Sequence, residues 1–229
     1  MVTDLPKRRF RLRTAVTGLA AAVLLHLGAP LGQAADGVRL LAFGDSLTHG
    51  YGLTEGEAFP DQLQRALEAE GRSVEVLNGG NSGDTTAAGL ARLDWSLADR
   101  PDAVFLELGA NDALRGLEPQ AAYDNLDKIL ARLTAEGLPV LLVGMQAPRN
   151  LGADYAEDFD DIFPQLAEEH KVLLYPFFLD GVALEPRLNQ ADGIHPNKDG
   201  VAVIVENIMP YVRQLLRQAD RKRAETSDG

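Results

Sequence analysis

The 229-residue sequence has the composition of a single globular domain, with 45% hydrophobic and 24% charged residues. It contains no cysteine, which excludes disulfide bonds, thiol catalysis and lipid attachment through cysteine. Its formal net charge of −12 disfavours binding to nucleic acid and to anionic membrane surfaces, so neither is expected as a partner.

Residues 1–34 have the three-part layout of a secretory signal peptide. A basic stretch precedes an apolar run over residues 15–31, and small residues precede a predicted cleavage after Ala34. An uncleaved membrane anchor and a buried helix are the alternatives, although the run is short for a membrane span. Cleavage removes five basic residues and one acid, which leaves a net charge of −16. We therefore predict an exported protein, periplasmic or secreted, without stable membrane association after cleavage.

From Val38 onward, short apolar runs alternate with longer amphipathic segments. The runs are typical of buried parallel strands and cover Val38–Phe43, Val74–Leu77, Ala103–Leu108, Val140–Met145 and Val172–Tyr175. Helical spacing of apolar residues predicts helices over Glu57–Glu70, Gln120–Glu136, Tyr155–Glu169 and Asp199–Arg217. This alternation predicts an α/β domain over residues 35–217, with a doubly wound five-stranded parallel sheet. The polar residues 218–229 are predicted to be a disordered tail.

Four polar clusters fall where this topology places an active site. Three directly follow predicted strands and the fourth precedes the last helix: Gly44–Leu47, Asn81–Asp84, Gly109–Asp112 and Asp192–His195. Each cluster alone is weak, since a Gly-Asp-Ser tripeptide is most often a turn. Their order along the chain is informative, because the carboxyl ends of parallel strands lie at one edge of the sheet.

The clusters contain the residue types that nucleophilic acyl transfer needs. A serine hydroxyl such as Ser46 requires a base to accept its proton, and His195 is the candidate, with Asp192 three residues earlier to orient the imidazole. The backbone N–H groups of Ser46 and Gly83 and the side-chain amide of Asn111 are candidate donors to the developing oxyanion. His49 is a rival base, because it lies three residues after the serine.

The acids next to these residues allow another interpretation. Asp45, Asp84 and Asp112 could form a metal cluster with Asp192, because hard cations bind carboxylate oxygens. Turn and cap hydrogen bonds account for such carboxylates without a cation, so we predict no metal and no cofactor.

Two segments are expected to border the acyl site. Residues 113–117, with Leu114, follow the asparagine, and residues 148–153, with Pro148, follow the fourth predicted strand. Both are short and partly apolar. We expect a shallow groove that accepts short to medium acyl groups.

Several motifs together resemble the SGNH (GDSL-type) hydrolases, and within them the group of acyl-CoA thioesterase I, lysophospholipase L1 and arylesterase. In chain order the motifs read LLAFGDSLTHGYGL, NGGNSGDTTAAGLARL, LELGANDALRG, VGMQAP and YPFFLDGVALEPRLNQADGIHPN. The resemblance covers nearly everything from Leu40 to the last predicted helix. It implies a flavodoxin-like three-layer αβα sandwich.

The resemblance also implies a function and a set of site residues. The family's nucleophile falls on Ser46, its oxyanion residues on Gly83 and Asn111, and its acid and base on Asp192 and His195. The implied reaction is hydrolysis of small-molecule acyl esters and thioesters. A carbohydrate O-deacetylase and a non-catalytic binding protein are the alternatives. The sequence does not indicate an oligomeric state.

Overall fold

The computed structural model describes Met1 and residues 37–227, so the predicted signal peptide lies outside the described residues. Five parallel strands form one sheet in the order β2-β1-β3-β4-β5. The strands are β1 (Val38–Gly44), β2 (Val74–Gly80), β3 (Ala103–Glu107), β4 (Val140–Val143) and β5 (Leu173–Tyr175). The sheet confirms the predicted five-stranded parallel α/β fold.

Eight α-helices lie within the described residues. They are α1 (Ser46–His49), α2 (Phe59–Ala69), α3 (Thr86–Leu97), α4 (Ala110–Leu114), α5 (Pro119–Ala135), α6 (Ala153–Asp160), α7 (Ile162–His170) and α8 (Lys198–Ser227). Helices α2 and α8 pack together, and α3, α5 and α7 form a second packed set. Sheet and helices therefore make three layers. No helix of the described ranges is long and apolar enough to span a bilayer.

The core is densest around the three central strands. Residues of β1, β3 and β4 are almost all buried, and Phe105 packs between Phe59 and Phe178 with ring centroids 4.8 and 5.9 Å away. The prediction that all five strands are buried is wrong for β2, which is half exposed, and β5 is only partly buried. Both lie at the edges of the sheet, and edge position depends on tertiary pairing rather than on local hydrophobicity.

Two further predictions about the helices need correction. The single helix predicted over Tyr155–Glu169 is divided at Asp161 into α6 and α7, because Pro164 has no N–H to donate to the carbonyl four residues earlier. The disordered tail predicted for residues 218–229 is wrong for residues 218–227, which continue α8. Buried Ala219 and a hydrogen bond from Lys222 Nζ to the Glu136 carbonyl (2.9 Å) anchor this end of the helix.

Candidate active site

The strand order brings three of the polar clusters to one end of the sheet. Strand β1 lies between β2 and β3, so the segments that follow these three strands are neighbours. The chain passes from β1 to β2 on one side of β1, and from β2 it crosses over to β3 on the other side. Ligands of open α/β sheets bind beyond the carboxyl ends of the strands at such a switch point.

Ser46 begins helix α1 immediately after a tight turn out of β1. Gly44 ends the strand, and a Cβ on this residue would lie 2.6 Å from Glu107 Oε2, so only glycine fits. The next residue, Asp45, caps α1 by accepting a hydrogen bond from Leu47 N (2.9 Å). This local structure explains why the sequence needs glycine and then aspartate before the serine.

His195 and Asp192 reach Ser46 from a separate loop that precedes α8. The Ser46 Oγ atom lies 2.9 Å from His195 Nε2, and His195 Nδ1 lies 2.7 Å from Asp192 Oδ2. Tyr51 packs against the imidazole, with ring centroids 4.7 Å apart. A serine hydroxyl, an imidazole and a carboxylate are thus joined in series, which is the geometry of a nucleophile with an oriented base.

The Asp192 carboxylate is held in its charged form. Its Oδ1 accepts hydrogen bonds from the backbone N–H groups of Ile194 (2.9 Å) and His195 (3.0 Å). The hydrogen bond from Ile194 has the largest effect, and together with the bonds from the His195 backbone and imidazole it lowers the pKa of Asp192 to about 2. A carboxylate that remains ionised fixes the proton of the neutral imidazole on Nδ1 and leaves Nε2 free to accept the serine proton.

The predicted oxyanion donors border the same cavity as Ser46 and His195. Gly83 has a φ of +86°, and its carbonyl accepts a hydrogen bond from Arg115 Nη2 at 2.8 Å. The amide of Asn111 donates to Asp45 Oδ2 at 3.1 Å. Since an amide NH₂ group has two hydrogens, Asn111 keeps one donor for a second acceptor.

The cavity has a volume of about 780 Å³ and is bounded mainly by apolar side chains. Leu114 and Pro148 both line it, as do Met145, Phe177 and Leu179. The cavity is larger than the expected shallow groove, because the segment after β5, with Phe177 and Leu179, adds a wall beyond the two segments expected from the sequence. A cavity of this volume can enclose a small organic ligand.

The other acids near the site each have a hydrogen-bond donor. Asp84 pairs with Arg92 Nε (2.5 Å), and Asp112 accepts bonds from the backbone N–H and hydroxyl of Thr86 (2.8 and 2.7 Å). An ion pair with Arg92 and hydrogen bonds from Thr86 of α3 thus account for these two carboxylates, rather than the turn and cap contacts expected from the sequence. Within residues 37–227, no group of three or more His, Asp or Glu side chains has the arrangement of a metal site.

His49 does not share the arrangement of His195. Its Nδ1 atom lies 3.3 Å from the carbonyl oxygen of Gly80, and the side chain is exposed. The structure joins the serine to His195 and not to His49.

One buried group beneath the site was missed at the level of sequence. Glu107 ends β3, is fully buried and accepts a hydrogen bond from Thr48 Oγ1 at 2.7 Å. The signal for it was present, because a single acid interrupts the apolar run Ala103–Leu108. A buried acid of this kind needs a structural or functional partner.

Known proteins resemble this chain over most of its length. The GDSL-like Lipase/Acylhydrolase family matches residues 42–203. Esterase TesA of Pseudomonas aeruginosa is 40% identical over 202 residues, covering 88% of this chain and 98% of that protein. Thioesterase 1/protease 1/lysophospholipase L1 of Escherichia coli K12 is 41% identical over 185 residues, covering 80% of this chain and 88% of that protein. A crystal structure of TesA is similar with a TM-score of 0.74 and 41% identity, covering 77% of this chain and 99% of that one.

Proposed function

The chain belongs to the GDSL-like lipase/acylhydrolase family and is a serine esterase of small-molecule substrates, and we propose that it hydrolyses acyl esters and thioesters through an acyl-enzyme on Ser46. The observation that carries the proposal is the chain of contacts from Ser46 Oγ through His195 to Asp192. In the first step Oγ attacks the acyl carbon while its proton passes to His195 Nε2. The resulting tetrahedral intermediate carries a negative oxygen.

The oxyanion donors are the backbone N–H groups of Ser46 and Gly83 and the free hydrogen of the Asn111 amide. All three residues line the cavity that contains the serine, which supports this assignment. The protonated His195 then gives its proton to the leaving alcohol or thiol. Water activated by the same histidine releases the acid and restores the free serine.

Substrate selection follows from the apolar lining. The acyl chain lies in the part of the cavity bounded by Leu114 and Pro148, and the volume of about 780 Å³ accommodates medium-length chains as well as short ones. The exposed lining of the cavity is mainly apolar, although Gln146, Arg149 and Asn150 adjoin Pro148, and an apolar lining favours hydrocarbon over sugar. We assign acyl esters and thioesters, and not acetylated carbohydrate, as the substrates.

Export of the enzyme is the second part of the proposal. Residues 1–34 direct secretion and are removed after Ala34, which leaves a strongly acidic catalytic domain. Amino-terminal sequencing of the protein recovered outside the cytoplasm checks this point. A mature protein that retains residues 1–34 would instead indicate an anchor.

The catalytic assignment is tested by labelling with a fluorophosphonate, which reacts with activated serines. Wild-type enzyme should bind one equivalent and lose its activity on an aryl ester, because phosphonylation blocks the nucleophile. The Ser46→Ala variant should fold normally by circular dichroism, take up no label and show no turnover above background. Hydrolysis by well-folded Ser46→Ala enzyme would rule out the covalent mechanism.

A further inference from the structure

Glu107 lies directly beneath the turn that carries the nucleophile. It is paired in register with Gly44 across β1 and β3, and its side chain has no exposed surface. Its Oε2 atom accepts hydrogen bonds from the Thr48 hydroxyl (2.7 Å) and from the backbone N–H of Asp45 (3.3 Å). Glu107 Oε2 on strand β3 therefore contacts Asp45, the residue before the nucleophile, and Thr48, two residues after it.

The surroundings of the other carboxyl oxygen of Glu107, Oε1, indicate that this side chain is protonated. Glu107 Oε1 is buried and has no hydrogen-bond partner among residues 37–227. An ionised carboxylate with one bare oxygen in such a site is strongly disfavoured. Burial raises the pKa of Glu107 well above its usual range, and the nearby carboxylate of Asp45 raises it further.

Of Asp45 and Glu107, Asp45 is the side chain that more readily carries the negative charge. Both of its oxygens accept hydrogen bonds, one from Leu47 N and the other from the Asn111 amide. The remaining titratable groups that act on Asp45 are Asp84, which is paired with Arg92, and His195. Donors thus surround Asp45, whereas Glu107 has only the two contacts on Oε2.

We propose that Glu107 is a positioning residue of the esterase, which fixes the nucleophile turn through Oε2 while Asp45 orients the oxyanion amide of Asn111. Glu107 in its neutral form accepts the two hydrogen bonds without adding a second negative charge to that of Asp45 beneath the oxyanion site. Its two contacts hold the backbone of Asp45 and the side chain of Thr48 at fixed distances from β3. The nucleophile and one oxyanion donor are therefore set by the same buried pair.

The inference rests on the proposed function, since it assigns a role relative to Ser46 and Asn111. Small displacements of a nucleophile have large effects, and a shift of about 1 Å can cost about a hundredfold in rate. Loss of the Glu107 contacts should therefore appear in kcat while the apolar cavity keeps KM nearly constant.

Two substitutions of Glu107 distinguish the effect of its hydrogen-bond acceptor from the effect of its charge. Glu107→Leu removes the oxygen that accepts both hydrogen bonds and should lower kcat about tenfold to a hundredfold, with KM changed by less than about twofold. Glu107→Gln keeps a carbonyl acceptor without charge and should retain about a third or more of the wild-type kcat. Equal losses in both variants would show that the charge is required and would overturn the neutral assignment.

Matched threonine variants provide a test that does not depend on the folding of Glu107→Leu. Thr48 and Thr86 are both fully buried, and each donates its hydroxyl to a carboxyl group at 2.7 Å. Thr86→Val should lower the melting temperature at least as much as Thr48→Val, because Thr86 Oγ1 also accepts a hydrogen bond from Asn125 Nδ2 (3.1 Å), but only Thr48→Val should lower kcat severalfold. A Thr48→Val enzyme with wild-type kcat would contradict the inference.

Active-site titration with the fluorophosphonate distinguishes the two levels of failure. If wild-type enzyme takes up no label at Ser46, the proposed function itself is wrong. If wild-type enzyme is labelled and Glu107→Leu is labelled and turns over at the same rate, only the positioning role of Glu107 is wrong. The expected result is full labelling of wild type and about tenfold slower labelling of Glu107→Leu.

Discussion

Two carboxyl groups near the catalytic serine, those of Asp192 and Asp45, have pKa values shifted in opposite directions by their surroundings. Asp192 lies on a loop with 38% of its side chain exposed, and hydrogen bonds lower its pKa to about 2. Asp45 lies under the serine without exposed surface, and burial raises its pKa to about 6. Donor number and water access decide the charge, so residue type alone does not identify a strong base or a weak one.

The difference also separates the roles of the two regions. The loop with Asp192 and His195 acts on the proton that the reaction moves, and it lies where solvent and substrate can enter. The floor with Asp45 and Glu107 contacts backbone and amide groups and lies where water does not reach. Substitution of aspartate by asparagine at each position compares them directly, because the change is isosteric and removes only charge and one acceptor.

The largest effect is expected for Asp192→Asn. The amide cannot stabilise the imidazolium and favours the wrong tautomer of His195, so kcat should fall about 10³-fold to 10⁴-fold. Rates on an activated aryl ester at pH 8 measure this loss. His49→Ala, which changes a nearby histidine without a carboxylate partner, should retain about a tenth or more of wild-type kcat. A dead His49→Ala enzyme beside an active Asp192→Asn enzyme would reverse the assignment of the base.

The contrast shows what the sequence could and could not reveal. The loop region was predictable, because Asp192 and His195 are three residues apart and the clusters follow strands in an order that brings them together. The floor, formed by Asp45 and Glu107, was only partly predictable, because the acid in the apolar run Ala103–Leu108 is visible in the sequence but its meeting with Asp45 depends on the pairing of β1 and β3. The exposure of the edge strand β2 was missed for the same reason. Helix α3, which no prediction covered, does have a local signal, because Thr85 caps it and its buried residues Gly89, Leu93 and Leu97 recur at helical spacing.

A smaller effect is expected on the pH dependence of stability, for which buried Asp45 and the loop residue Asp192 should have opposite signs. Asp45 has a pKa of about 6 in the native protein against 3.8 for an unperturbed aspartate. A raised native pKa means that the stabilising contribution is complete below pH 3.8 and is lost as the pH rises through 6. Asp45→Asn cannot ionise, so its free energy of unfolding relative to wild type should rise by about 2 kcal/mol between pH 4 and pH 7.

Denaturant unfolding at several pH values measures this difference. Comparison in a Glu107→Gln background removes the titration of the neighbouring acid from both proteins. A difference between Asp45→Asn and wild type that stays constant from pH 4 to pH 7 would contradict the raised pKa of Asp45. Asp192 has the opposite sign, since its contribution is present above pH 3.8 and is lost as the pH falls toward 2.

The smallest effect is expected on the rate of the Asp45→Asn enzyme. Asparagine offers one oxygen to two donors, Leu47 N–H and the Asn111 amide, so one of the two contacts is lost and the Asn111 amide is less firmly oriented. We expect kcat to fall about tenfold with KM nearly unchanged, which is less than the loss of roughly 10²-fold or more for a deleted oxyanion donor. Asp112→Asn is the matched control, because Asp112 is also buried and accepts two bonds, both from Thr86. If both variants lose stability and the same fraction of kcat, the effect of Asp45 on the rate is general loosening of the fold, whereas a loss of kcat confined to Asp45→Asn ties it to the oxyanion amide.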